Sequence, residues 1–164
     1  MKKSLWILSI IGCTYTQIGS GATTGTQTVT MTIASASNIT VSGNPGTLAV
    51  TLNTAGTGTA TDNSTTYSVT SNTNASGTLK ITGAITTGGN MPTNTSLTTS
   101  LASTAGTSQG AQTLSTTAVD LVNRLPTLLS DTAVITYTFN VTNGWTIAAQ
   151  TISRTVTLTL TSNS

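Results

Sequence analysis

Of the residues that most often do proton-transfer or metal chemistry, the chain has three Asp and one Cys, and no Glu or His. General acid–base catalysis near neutral pH rests on His or on a carboxylate with a displaced pKa. Without His there is no Ser-His-Asp triad, no Cys-His pair and almost no zinc site. An aspartic dyad would need two of Asp62, Asp120 and Asp131 to meet, and Asp131, directly after Ser130, reads instead as a cap or turn residue. Asp62-Asn63-Ser64 offers oxygen ligands, but calcium wants six or more with several carboxylates, so an Asx-turn is the expectation. The chain is therefore expected to be no enzyme and to need no cofactor or metal.

Binding chemistry is the next candidate. Lys80 lies between Leu79 and Ile81 on the opposite strand face. It could enter a Lys–Asn isopeptide bond beside an acid, but the expectation is an exposed lysine protecting a strand edge. Sugar rings stack on aromatic platforms, and beyond residue 22 the aromatics are Tyr67, Tyr137, Phe139 and Trp145. Tyr137 and Phe139 share a face with Ile135 and read as core. Trp145, beside Asn143-Gly144, is the candidate ligand-facing aromatic. Five Asn-x-Ser/Thr sequons, at Asn38, Asn63, Asn74, Asn94 and Asn140, are what chance gives at this threonine content and matter only in a eukaryotic secretory host.

The elements that carry these residues follow from composition. Of 164 residues, 43 are Thr, 19 Ser, 15 Gly and 12 Asn, while charged residues make up 5%. Threonine is β-branched, stiff at χ1 and suited to a pleated surface. The low charge excludes charge-driven disorder, and the lack of Glu argues against a helical bundle.

Met1-Lys2-Lys3, the apolar run Leu5–Ile11 and the small residues Ser20-Gly21-Ala22 have the order of a secretory signal, giving a leader over 1–22 and a single domain over 23–164. The apolar run is too short to span a bilayer, so no transmembrane segment is expected. Ile10-Ile11-Gly12-Cys13 resembles the bacterial lipobox, and lipidation at Cys13 is the alternative to a cut after Ala22. Beyond the leader, Lys80, Arg124 and Arg154 balance Asp62, Asp120 and Asp131 to a net charge of zero. A basic stripe for phosphates is missing, which excludes nucleic acid, and docking on anionic lipid fails for the same reason.

Alternation of period two starts at Val29-Met31-Ile33. It returns at Leu48-Val50-Leu52, Tyr67-Val69, Leu79-Ile81, Leu97 to Leu101, Ala133 to Val141 and Val156-Leu158-Leu160. Turn formers separate these runs at Gly43–Gly46, Thr61–Ser64, Asn72–Gly77, Gly88–Asn90 and Asn143-Gly144. Asn143-Gly144 predicts a hairpin between Tyr137–Val141 and Trp145–Ile147. Residues 118–125 have a mixed pattern that fits a helical turn or an irregular strand. The pattern as a whole predicts an all-β, antiparallel two-layer β-sandwich of about seven to nine strands, Ig-like, Greek-key or jelly-roll-like. Thr-x-Thr rows at Thr26–Thr32, Thr57–Thr61 and Thr155–Thr161 look like those of ice-binding solenoids, but the strict coil repeat is missing.

The leader, the early run Val29-Met31-Ile33 and the closing run Arg154–Leu160 resemble secreted bacterial β-sandwich surface proteins of the fimbrial-subunit-like and spore-coat-U-like kind. The resemblance implies a structural protein, secreted or at the cell surface, whose partner is itself or another surface protein. In such proteins an extended N-terminal strand can complete the sheet of the next subunit. Residues 27–34 are then a donor strand, or else the first strand of their own sandwich, with Val29, Met31 and Ile33 as the self-association residues. A chaperone–usher pilin usually carries a disulfide, and residues 23–164 contain no Cys. A glycan- or host-binding adhesin module is the alternative function, and ice binding a third.

Overall fold

The computed structural model describes residues 27–73 and 78–163. The chain divides into two units, Met1–Thr32 and Ile33–Ser164. The signal segment, both cleavage alternatives and Cys13 lie outside the described residues.

The unit from Ile33 is all-β, with two antiparallel sheets. Its strands are β1 (Ser37–Val41), β2 (Gly58–Asn72), β3 (Thr78–Thr87), β4 (Thr95–Leu101), β5 (Thr107–Ser108), β6 (Gln112–Thr113), β7 (Val119–Leu125), β8 (Leu128–Val141) and β9 (Thr155–Asn163). One sheet has the order β1-β2-β8-β4-β6 and the other β5-β7-β3-β9. The core between them is apolar and alternating: Tyr67 and Val69 from β2, Ile81 and Ile85 from β3, Leu101 from β4, Leu121 and Leu125 from β7, and Ile135 from β8 are all buried. Outward positions of the same strands carry Thr, Ser and Asn. Their hydroxyls bond across the strands, Thr61 to Thr138 at 3.2 Å and Thr132 to Ser68 at 3.0 Å. Threonine thus serves as both a pleat former and a neutral wet surface.

Several sequence expectations are corrected. Thr61–Ser64 does not separate two strands. It is a bulge inside β2, where Asp62 pairs with Tyr137 and Thr65 with Ile135, so β2 carries one extra residue. Leu48-Val50-Leu52 alternates in burial but forms no strand. Val50 packs on Gly58 and Leu52 on Gly144, covering the end of the sandwich. The mixed patch at 118–125, by contrast, takes the irregular-strand alternative that the sequence offered: Val119–Leu125 is β7, and Arg124 near its end has a positive φ of 59°.

The Asn143-Gly144 hairpin does not form either. β8 is flanked by β2 on one side and β4 on the other, so it has no edge left for a returning strand. The chain makes a 3-10 turn at Gly144–Thr146 instead, with the Gly144 N–H donating to Gly56 O at 2.6 Å. Gly144 is buried against Leu52, whose side-chain carbons leave no room for a Cβ.

Leu121 is wholly buried and Leu128 is 77% exposed, so the two leucines separate core from surface. Leu121→Ala should lower the unfolding free energy by about 2–5 kcal/mol. Leu128→Ala should change it by no more than about 0.5 kcal/mol. Urea titration followed by tyrosine and tryptophan fluorescence measures both.

Candidate functional site

The structure puts the three carboxylates in three different settings. Asp62 closes the β2 bulge by accepting bonds from the Ser64 N–H at 3.0 Å and the Ser64 hydroxyl at 2.7 Å. These bonds hold its pKa below the ordinary carboxylate value. This is the Asx-turn expected from the sequence. Asp120 on β7 pairs with Lys80 on β3, Nζ to Oδ1 at 3.1 Å. Lys80 is therefore not an edge guard, because β3 lies between β7 and β9 in the interior of its sheet. The pair is partly exposed and contributes no more than about 1 kcal/mol.

Asp131 corrects the sequence reading most sharply. It lies within β8 rather than at a cap or turn, pairs with Val69 and is only 5% exposed. The Thr104 hydroxyl donates to Oδ1 at 2.6 Å, and the Ser103 hydroxyl to Oδ2 at 3.1 Å. Burial pushes its pKa up, but the bonds from the Thr104 and Ser103 hydroxyls and the backbone of Thr104 and Ala105 outweigh it and leave the pKa below the ordinary value. The carboxylate thereby fixes the connection leaving β4. The neighbouring Tyr67 hydroxyl caps the same connection by donating to Ala102 O at 2.6 Å. Among the described residues, no group of three His, Cys, Asp or Glu side chains gathers as metal ligands would.

Trp145 is 67% exposed, as its place beside Gly144 suggested. Its indole lies against Gly56, whose φ of +75° favours glycine and where a Cβ would sit 2.6 Å from the ring. Next to this loop is an open hollow lined by neutral polar groups, among them Asn53, Thr57, Thr59, Asn140 and Thr142. Asn53 is already occupied in shaping the loop: its Oδ1 accepts the N–H groups of Ala55 and Thr57, each at 3.0 Å.

The third feature is the N-terminal run. Residues 27–36 belong to no strand. Val29, Met31 and Ile33 are 68%, 86% and 88% exposed. The entry to β1 is fixed one step later. The Asn72 side chain donates to Ala34 O at 3.1 Å and accepts the Ala36 N–H, while the Asn72 backbone N–H donates to Ala36 O at 3.0 Å. Asn72 escaped the sequence reading because Asn72–Gly77 reads as a generic turn. An Asn can equally hold a distant backbone segment, and single-sequence spacing carries no signal for that.

Among the described residues, no helix is long and apolar enough to cross a membrane. No protein-family model, curated protein or solved structure matches the chain.

The Asp131 carboxylate is depressed in the folded state and ordinary in the unfolded one. Its contribution to stability should therefore be fully present above the unfolded carboxylate pKa of about 4 and be lost as pH falls through the lower folded value. Asp131→Ala, which strands the Ser103 and Thr104 hydroxyls, should cost about 1–3 kcal/mol at pH 7. It should also flatten the acid limb of the stability–pH curve, measured by denaturant unfolding between pH 2 and pH 7. An acid limb as steep as in the parent chain would remove Asp131 as its source.

Proposed function

We propose that this chain is a non-catalytic structural protein, secreted or held at the cell surface, that assembles with copies of itself as a pilin-like or coat subunit. Residues 27–34 would add as a strand to a neighbouring sheet. One observation carries this reading: three apolar side chains at strand spacing stand exposed on backbone that belongs to no strand. Such a segment has the side-chain alternation that strand addition uses, on backbone outside the strands of the described residues. The balanced charge of residues 23–164 leaves little electrostatic repulsion to oppose subunit contact.

A second reading, a glycan- or host-surface-binding module, has its own support in Trp145, exposed beside the neutral polar hollow. On that reading, Trp145→Ala abolishes retention on a glycan array and leaves assembly intact.

For the first reading, the full chain carrying Val29→Ser, Met31→Ser and Ile33→Ser together should lose the filaments or rings seen by electron microscopy for the parent. Its unfolding free energy should stay within about 1.5 kcal/mol of the parent, because each change is at an exposed site. Collapse of the fold would assign the segment to its own sandwich. Unchanged assembly would assign association to another surface.

A further inference from the structure

We infer that the acceptor for residues 27–33 is the outer edge of β9 on a second copy of this chain, with Val29, Met31 and Ile33 packing beside Val156, Leu158 and Leu160. The inference rests on the strand-addition reading and names the surface that reading leaves open.

The two sheets present four edges among the described residues: β1, β6, β5 and β9. β5 and β6 are each two residues long, and short edges offer little ladder to an incoming strand. β1 has five residues, of which Ile39 alone is packed against the core. β9 has nine residues and pairs along one side with β3, from Thr155 opposite Thr87 to Asn163 opposite Thr78. Its other side has no strand partner among the described residues.

The composition of β9 points the same way. Natural edge strands are protected by Lys, Pro or inward-pointing charge, and Thr155–Asn163 contains no Lys, Arg, Asp, Glu or Pro. Its core-facing residues Val156, Leu158 and Leu160 pack against the core but are only half-buried, unlike Ile81 and Ile85 on the adjacent β3. That part of the core is thinly covered, and one more strand beside β9 would cover it. β1, the edge strand of the facing sheet, approaches β9, and its Ile39 packs against the same core.

The same chain carries the fitting occupant. Val29, Met31 and Ile33 fall at positions i, i+2 and i+4, as do Val156, Leu158 and Leu160. Paired strands put such triplets on one face at matching spacing. Neither segment carries a charge, so burying the pair strands no ion.

The test uses two full-length variants. The donor-deficient chain carries the three serine substitutions at Val29, Met31 and Ile33. The acceptor-deficient chain carries Leu158→Lys, and Thr157→Lys on the exposed face of the same strand controls for charge. Sedimentation should find each deficient chain monomeric and their mixture a one-to-one dimer that grows no further, while Thr157→Lys assembles like the parent.

Continued self-assembly of a folded Leu158→Lys chain would overturn the β9 assignment and leave strand addition standing. Continued self-assembly of the donor-deficient chain, or a parent chain that stays monomeric, would overturn the strand-addition reading and this inference with it. If Leu158→Lys fails to fold, the decision passes to disulfide trapping in a Cys13→Ser background. Chains with Met31→Cys should cross-link to chains with Leu158→Cys, the middle positions of the two triplets on the same face, and not to chains with Thr107→Cys on the β5 edge. The reverse preference would overturn the assignment.

Discussion

The pairing of β2 with β8 is the contact on which the rest of the structure depends. Strands of fifteen and fourteen residues run antiparallel from Gly58 opposite Val141 to Asn72 opposite Leu128. Their inward side chains, Tyr67, Val69, Ile135 and Tyr137, fill the middle of the core. β1 attaches to the outer side of β2 and β4 to the outer side of β8, so both need this ladder first. It also presents Asp131 to the Ser103 and Thr104 hydroxyls and the Tyr67 hydroxyl to Ala102, tying down the chain between β4 and β5. With so few charges and, beyond residue 22, no Cys, stability rests on apolar burial and ladder hydrogen bonds.

A nearly uncharged β-sandwich has to manage its edges by other means than lysine. Here β5 and β6 are short, the β2 bulge at Asp62–Thr65 disturbs regular pairing at one point, and hydroxyl pairs such as Thr61–Thr138 saturate polar groups on the outer face. β9 has none of these protections along its free side. The run from Val29 to Ile33 likewise lacks any charge or proline to keep it from pairing. An unguarded edge and an unpaired apolar strand in one polypeptide are hazards for a monomer. The proposed subunit would use both.

Much of the fold was legible in the sequence, for a physical reason. Where one face of a strand is buried, alternation has to be kept, and Leu79-Ile81, Leu97 to Leu101 and Ala133 to Val141 all became strands of the two sheets. Alternation alone, though, guarantees neither burial nor pairing. Leu48-Val50-Leu52 satisfies it in a loop that covers one end of the sandwich, and Val29-Met31-Ile33 satisfies it with no partner strand among the described residues. The Asn143-Gly144 hairpin failed because a local turn signal cannot tell whether β8 still has a free edge. β1 alternates only as Ile39-Thr40-Val41, with Ile39 half-buried and Val41 exposed, a run too short to stand out in so threonine-rich a chain. The roles of Asp131 and Lys80 were hidden because they depend on strand order, which brings Ser103 and Thr104 to one and Asp120 to the other. Among the candidate site residues, the exposure of Trp145 was readable from its neighbouring turn, whereas the open side of β9 required the sheet topology.

The central claim is that residues 27–33 form no strand in the monomer and add to the sheet of a second copy. Amide hydrogen exchange of the full chain, at a dilution where it is monomeric, tests this most directly. The account predicts slow exchange along β2 and β8 and near-unprotected exchange from Gln27 to Ile33. Protection of Val29–Ile33 equal to that of β1 in the monomer would contradict it, because the segment would then already be a strand of its own sheet.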